Sequence, residues 1–182
     1  MRERKRILLI GEGDGRVLAR VCTLAPLAQI DCLDLSAAML AKAEARLSPA
    51  DRARVRFRHE DARTADYAPG TYDAVTTFFF LDCFTEDQAS ALIGRIQASL
   101  SGDAVWLFAD FSEPAHGLMR LRAKAWLWIM YAFFRWQTGL ITRRLPASES
   151  LILQAGLRRV DESSFQRGFV RSAVFSQPGS RT

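Results

Sequence analysis

The sequence is poor in the residues that build disulfide frameworks, metal centres and membrane spans. Its three cysteines, Cys22, Cys32 and Cys83, are an odd number without metal-ligand or redox spacing, so we expect reduced thiols. It contains two histidines and no cluster of metal ligands, and we predict no metal site. The apolar run after the basic start MRERKR is too short for a signal peptide, and no apolar stretch approaches the roughly 20 residues that span a bilayer. We expect a soluble, cytoplasmic chain.

The net charge of +5 is distributed unevenly along the chain. Residues 1–114 carry 14 Lys/Arg and 17 Asp/Glu, which gives −3, whereas residues 115–182 carry 11 and 3, which gives +8. Such an asymmetry indicates either an anionic partner, such as nucleic acid or a membrane surface, or a basic face that only keeps the protein in solution. Both interpretations remain open from the sequence.

Strand-like and helix-like segments alternate strictly in the first part of the chain. Short apolar or alternating runs predict five strands, at residues 6–11, 28–34, 55–59, 72–81 and 103–110. Helices are predicted between them, one capped by Ser36 and another opened by a capping box of Thr85 with Gln88. This order predicts an α/β fold, a Rossmann-like doubly wound sheet that is mostly parallel and has helices on both faces.

The pattern changes after residue 111, although we expect one domain over residues 1–182. Residues 6–111 form its predicted cofactor-binding core, and residues 112–147 a helical insertion. Residues 148–182 predict a terminal helix followed by an antiparallel β-hairpin.

A glycine-rich loop, Gly11-Glu12-Gly13-Asp14-Gly15, joins the first strand to a helix. Backbone N–H groups and a helix N-terminus face a ligand at such a loop, and glycines allow a cofactor to approach the backbone closely. Asp34 ends the second strand about 20 residues further on, where a carboxylate accepts the hydroxyls of a ribose. Together these features predict a nucleoside cofactor.

The chemistry of this loop separates two classes of cofactor. A nicotinamide dinucleotide requires the spacing G-x-G-x-x-G/A, whereas here the sixth position counted from Gly11 is Arg16 and the glycines run G-x-G-x-G. Glu12 and Asp14 would repel a pyrophosphate dianion, but they suit a cofactor that carries an ammonium and a sulfonium. The loop therefore favours S-adenosylmethionine (SAM).

Five segments, ILLIGEGDGRVL, IDCLDLSAAML, VRFRHEDA, YDAVTTFFFLDCF and GDAVWLFADF, resemble in order the core motifs of class I SAM-dependent methyltransferases. The resemblance covers residues 6–111 and implies that the chain is a methyltransferase with SAM as its cofactor. In that family the glycine loop, here Gly11, Gly13 and Gly15, holds the methionine part of SAM.

The resemblance also implies positions for the rest of the cofactor. Asp34 corresponds to the acidic residue that binds the ribose, and Leu35 to the residue that packs on the adenine. Asp61 corresponds to the residue that binds the adenine amino group, with Ala62 supplying backbone. The end of the fourth strand, Phe78–Asp82, corresponds to the segment that lies over the methyl donor.

Two features depart from the family pattern. Family members commonly carry Asp or Glu two residues before the first glycine, where this chain has Leu9, and Glu12 is the candidate replacement for that charge. Members usually also have helices before the first strand that fold over the cofactor, whereas here few residues precede it. These departures keep open the alternative of a member that retained the fold and lost its activity.

Methyl transfer requires alignment of the acceptor, exclusion of water and, where needed, removal of a proton. The candidate bases are Asp82, Asp110 and His116, all near the carboxyl edge of the predicted sheet. Each has a purely structural alternative, such as a turn residue or an exposed loop histidine.

Residues 118–136 predict a long helix with many aromatic side chains. Three interpretations compete: a helix packed on the sheet, a lid over an apolar substrate pocket, or peripheral contact of residues 120–136 with a membrane surface. The lid interpretation gives a substrate pocket lined by Phe79, Trp126, Met130 and Tyr131.

We therefore predict SAM-dependent transfer of a methyl group to oxygen or carbon of a small apolar or amphipathic acceptor, for example a quinone-like or lipid-like molecule. The alternative is an RNA-binding or RNA-modifying methyltransferase, which the basic C-terminal part favours. The segment FFFLD stands where enzymes that methylate amino groups of bases carry an N-P-P-Y type motif, and this counts against nucleic acid as the partner.

Overall fold

The structure, a computed structural model, describes residues 3–111, 146–165 and 170–179. Strands and helices alternate along the first of these ranges: β1 (Arg6–Ile10), α1 (Arg16–Leu24), β2 (Gln29–Asp34), α2 (Ala37–Ala45), α3 (Pro49–Arg52), β3 (Val55–His59), β4 (Tyr72–Phe78), a 3-10 turn (Leu81–Cys83), α4 (Glu86–Ser99) and β5 (Leu100–Phe111). After residue 145 follow α5 (Ser148–Gln154), β6 (Arg158–Phe165) and β7 (Val170–Ser176).

In the described part of the chain, seven strands form one sheet in the order β3-β2-β1-β4-β5-β7-β6. The first five are parallel to one another, and β7 lies antiparallel to both β5 and β6. The order reverses between β1 and β4, and in open α/β sheets ligands bind at the carboxyl ends of the strands near such a reversal. The predicted fold class and the terminal hairpin are both confirmed.

Two apolar clusters cover the two faces of the sheet. One lies beneath α4 and α5 and includes Leu8, Trp106 and Phe175. The other lies beneath α1 and α2 and includes Leu9 and Leu18. Alternate residues of β1 enter opposite clusters and are fully buried, which is why this strand reads as a continuous apolar run.

The capping predictions are confirmed, but two of the five predicted strands have a boundary that differs by three residues, whereas the other differences are of one residue. Ser36 accepts from the backbone N–H of Met39, and the capping box opens α4. Strand β4 ends at Phe78 rather than at residue 81, because Phe79 has a φ of +53°, which an extended strand does not permit. Strand β5 begins directly after α4, at residue 100 rather than 103.

No helix among residues 3–111, 146–165 and 170–179 is long and apolar enough to cross a membrane. The same residues contain no group of three or more His, Cys, Asp or Glu side chains placed to hold a metal ion. The predicted aromatic helix at residues 118–136 lies outside the described ranges.

Candidate active site

The glycine loop between β1 and α1 contains three glycines with positive φ, at Gly11 (+66°), Gly13 (+73°) and Gly15 (+88°). A side chain at Gly11 would clash with the ring of Phe80, and one at Gly15 would clash with the backbone of Ala43 in α2. A Cβ at Gly13, by contrast, would meet nothing within 4 Å. Packing therefore requires glycine at the two ends of the loop, whereas the middle glycine leaves space for a ligand.

Glu12 occupies the loop in a way that the sequence pattern did not reveal. Its Oε1 accepts hydrogen bonds from the backbone N–H groups of Val17 (2.7 Å) and Leu18 (2.9 Å), and so caps α1. Its Oε2 is buried and has no hydrogen-bond partner among the described residues. Burial raises the pKa of Glu12, and the hydrogen bonds from the helix N-terminus oppose this shift. A buried carboxylate oxygen without a partner fits a cationic group such as the ammonium of SAM.

Leu9, the residue at the usual acidic position, is fully buried in the apolar cluster beneath α1. A carboxylate at this place would need to be desolvated among apolar side chains such as Leu18. Glu12 therefore remains the carboxylate of the loop with a free oxygen, because Asp14 is paired with Arg16 and Arg46.

Asp34 lies against the glycine loop, as the spacing predicted. Its Oδ2 accepts from the N–H of Gly13 at 3.3 Å, and its Oδ1 accepts from the N–H of Ser36 at 2.8 Å. A carboxylate offers about four acceptor positions, so Asp34 retains acceptor capacity for two hydroxyl groups. The next residue, Leu35, is 64% exposed, and this apolar surface suits the face of an aromatic base.

The residues after β3 lie beside those after β2. The ring Nε2 of His59 is 3.0 Å from the carbonyl oxygen of Leu35, a contact that ties the two strand ends together. Asp61 binds the guanidinium of Arg63 through both carboxylate oxygens, and the hydrogen bonds from Arg63 lower the pKa of Asp61. Asp61 therefore stays ionised and able to accept hydrogen bonds over the ordinary range of pH. Ala62 is buried beside it.

Three consecutive phenylalanines end β4 and begin the loop that follows. Phe79 has a left-handed backbone, is 44% exposed, and its ring centroid lies 4.7 Å from that of Phe111. The ring of Phe80 packs over Gly11 instead. Its centroid lies 5.0 Å from that of the Phe84 ring, in an edge-to-face arrangement. A left-handed conformation at a residue other than glycine costs roughly 1–3 kcal/mol and is concentrated at functional sites. The geometry presents an aromatic surface beside the loop.

Asp82 and Asp110 form a carboxylate pair between the 3-10 turn and the end of β5. Both are about 95% buried, with 4% and 5% exposure, and the two carboxyl groups lie close enough for each to shift the pKa of the other. The N–H of Phe111 donates to Asp110 at 3.0 Å, and the thiol of Cys83 lies 3.5 Å from Asp82. Burial raises the pKa of both carboxyl groups, and that of Asp110 is raised further by the charge of Asp82. The pair therefore keeps a proton to a higher pH than an isolated carboxyl group does.

Sequence reasoning named Asp82 and Asp110 separately, and the structure brings them together. The sequence carries this signal, because Asp82 follows β4 and Asp110 lies near the carboxyl end of β5, and the carboxyl ends of these neighbouring parallel strands share one edge of the sheet. Phe80 over Gly11 was missed, since no periodicity marks which of three adjacent phenylalanines covers the loop. Four other predicted residues lie outside the described ranges: His116, Trp126, Met130 and Tyr131.

Residues 7–103 match the model of a family described as "Methyltransferase domain". No curated protein matches the chain in sequence. The fold is similar to that of the mitomycin 7-O-methyltransferase MmcR, with 18% identity, a TM-score of 0.72, and coverage of 97% of this chain and 50% of MmcR. It also resembles a TehB-like SAM-dependent methyltransferase from Corynebacterium glutamicum, with 13% identity, a TM-score of 0.63, and coverage of 95% and 80%.

A third similar structure is the N-methyltransferase NodS from Bradyrhizobium japonicum in complex with S-adenosylhomocysteine. It has 16% identity and a TM-score of 0.69, and the match covers 96% of this chain and 79% of NodS. This chain spans about half the length of MmcR, and likewise half the length of the similar structure TnmH. At these identities the likeness establishes the fold.

Proposed function

Since the chain belongs to the methyltransferase-domain family, whose class I members share this Rossmann-like fold, we propose that it transfers the methyl group of SAM to an oxygen or carbon atom of a small apolar or amphipathic acceptor. The chain is a SAM-dependent methyltransferase. The observation that carries the assignment of the SAM site is a group of three features at one edge of the sheet. These are the open space at Gly13, the carboxylate of Asp34, and the Oε2 of Glu12, which has no hydrogen-bond partner among the described residues.

Each part of the cofactor has a candidate partner in this arrangement. We assign the methionine part to the loop of Gly11, Gly13 and Gly15, with Glu12 Oε2 accepting from the ammonium group. The ribose hydroxyls are assigned to Asp34, and the adenine to the exposed side chain of Leu35, the carboxylate of Asp61 and the backbone of Ala62. The end of β4, beginning with Phe78, is assigned to the region of the methyl donor.

When bound, SAM supplies a methyl group on a sulfonium, which is displaced in line by the acceptor atom. The aromatic surface of Phe79 and Phe111 offers an apolar acceptor a place to dock and excludes water from it. Asp110 directly precedes Phe111 in sequence. We propose that its pair with Asp82 holds one proton near neutral pH, and that the ionised member of the pair accepts the proton of a hydroxyl or an acidic C–H. His116 is proposed as an alternative base, and Trp126, Met130 and Tyr131 as further lining of the pocket.

Three further features of the proposal rest on the sequence. We propose that the partner is a small molecule rather than nucleic acid, that residues 120–136 contact a membrane surface when the acceptor is lipid-like, and that the protein acts in the cytoplasm. The basic C-terminal part of the chain supports the membrane contact.

Calorimetric titration with SAM and S-adenosylhomocysteine tests the cofactor site. Asp34→Ala should weaken SAM binding more than tenfold, or by about 1.4 kcal/mol. Asp73→Ala is a matched control, because Asp73 also accepts from two backbone N–H groups, those of Lys5 (2.6 Å) and Arg6 (3.1 Å), but at the opposite edge of the sheet. Equal affinities of the wild type and Asp34→Ala would refute the ribose assignment.

Methyl transfer is then measured directly. SAM with a labelled methyl group is incubated with phenols, quinols and fatty hydroxy compounds, and the products are identified by mass spectrometry. Transfer to an apolar acceptor supports the proposal. Transfer only to RNA or to amino groups would contradict it.

A further inference from the structure

A buried tyrosine organises the loop that follows β3. Tyr67 is 7% exposed, and its hydroxyl donates to the carbonyl oxygen of Ala62 at 2.9 Å. The guanidinium groups of Arg58 and Arg95 both lie over its ring, with Cζ 5.9 Å and 5.5 Å from the centroid. A cation over an aromatic ring is attracted by the negative face of the ring, more strongly when the pair is removed from water.

The two arginines also bind the backbone of this loop. Arg95, from α4, donates to the carbonyl oxygens of Arg63 and Ala65. Arg58, from β3, donates to the carbonyl oxygen of Asp66 at 2.9 Å and forms a two-pronged contact with Glu60 at 2.9 Å and 2.7 Å. Residues 61–66, which we call the adenine loop, are thus held by three side chains, which we call the clasp: Arg58, Tyr67 and Arg95.

The clasp acts on the groups that we assign to adenine. Because Tyr67 engages the carbonyl of Ala62, the backbone group that Ala62 offers a ligand is its N–H. Arg95 holds the carbonyl of Arg63, and the guanidinium of Arg63 in turn binds both oxygens of Asp61. The clasp therefore determines where the Asp61 carboxylate and the Ala62 N–H stand relative to each other.

We propose that the clasp is a positioning device that makes the site selective for adenine. This inference rests on the proposed function, because it takes Asp61 as the acceptor for the amino group of adenine. Hypoxanthine carries an oxygen in place of that amino group, so a correctly placed Asp61 carboxylate would face a second acceptor and repel it. Selectivity for adenine over hypoxanthine therefore reports on the position of the loop, whereas the overall affinity also depends on the glycine loop and Asp34.

The test compares the binding of S-adenosylhomocysteine with that of S-inosylhomocysteine, by calorimetry, in the wild type and in variants. The wild type should prefer the adenosyl compound by about tenfold or more. Tyr67→Phe keeps the ring beneath the guanidinium groups but loses the bond to Ala62, and it should reduce this preference at least about threefold. Arg95→Lys cannot hold two carbonyl oxygens in the same fork and should act in the same direction.

Two matched controls remove similar contacts elsewhere. Ser99→Ala deletes a fully buried hydroxyl in α4 that, like that of Tyr67, donates to a backbone carbonyl oxygen, here that of Ile96 at 2.7 Å. Arg54→Lys loosens a guanidinium that binds the carbonyl oxygens of Cys22, Ala25 and Ala28 at the amino edge of β2. Both controls should lower the melting temperature yet leave the adenine preference unchanged, and thermal melts of all four variants establish that each is folded.

The outcomes separate the clasp from the proposed function. Absence of S-adenosylhomocysteine binding in the wild type would overturn the function itself. Binding without preference for adenine would overturn the role of Asp61 and, with it, that of the clasp. If the clasp variants weaken both compounds equally, or the controls alter the preference as much, the clasp has only a structural role and the inference is wrong.

Discussion

The buried Asp82–Asp110 pair predicts that the stability of this protein depends steeply on pH near neutrality. Burial, together with the charge of Asp82, raises the pKa of Asp110 from an ordinary value of 3.8 to about 9. A carboxyl group whose pKa is raised by folding binds its proton more tightly in the folded state than in the unfolded state. Its contribution to stability is therefore complete below about pH 4 and is lost as the pH rises to about 9.

The size of the effect follows from the one extra proton that the folded state holds in this range. Each such proton changes the free energy of unfolding by about 1.4 kcal/mol per pH unit, so about 2.7 kcal/mol is lost between roughly pH 6 and pH 8. For a chain of this length, that loss corresponds to roughly 5–10 °C in melting temperature. Asp110→Asn should reduce the slope to less than half, because the amide donates to Asp82 as the shared proton does but cannot ionise.

Thermal and urea unfolding over this pH range measure the slope in the wild type, in Asp110→Asn and in Asp103→Asn. Asp103 lies on the same strand, but its side chain is 75% exposed and pairs with Arg4, so its replacement should leave the slope unchanged. A wild-type slope in Asp110→Asn would refute the shared proton. So would an equal change in the Asp103 variant.

Three further predictions concern the reaction and the loop. If the ionised member of the carboxylate pair takes the proton of the acceptor, Asp82→Asn should lower kcat by about 100-fold or more at an unchanged KM for SAM, because Asp110 is the member that holds the proton of the pair. An unaltered kcat would assign the base elsewhere. Gly15→Ala should lower the melting temperature more than Gly13→Ala does. Both variants share the left-handed backbone strain of roughly 1–2 kcal/mol, but only the Cβ at residue 15 also clashes with Ala43. Equal decreases in melting temperature would contradict the packing of Gly15 against Ala43. Glu12→Gln retains an oxygen that caps α1, and it should weaken the binding of SAM about tenfold. The binding of methylthioadenosine, which lacks the ammonium group, should be unaffected, and equal weakening for both compounds would exclude the ammonium contact.

Much of the architecture was predictable because its signals are local. Apolar runs of strand length, caps such as Ser36 and Thr85, and turn residues at the expected places indicated the alternating elements and the final hairpin. The boundaries of β4 and β5 were less predictable, since apolar residues continue past Phe78 and only the left-handed backbone of Phe79 ends the strand. Periodicity reports which side chains are buried, but not where the backbone changes direction.

In the candidate site, too, some features were predictable from the sequence and others required the structure. The contact of Asp34 with Gly13 follows from the sequence alone, because adjacent parallel strands bring a glycine loop and the next strand end to one edge of the sheet. The replacement of the usual acid by Leu9 was visible, but its full burial and the free oxygen of Glu12 required the structure.

The sequence by itself determined the fold class, the family and the edge of the sheet to which we assign the cofactor, since these depend on periodicity and on short motifs. Only the tertiary structure decided that Asp82 and Asp110 are buried together, that Phe80 covers Gly11, and that Tyr67 and two arginines hold the adenine loop. These contacts join residues from different elements, and their existence depends on side-chain directions and packing that no local pattern encodes.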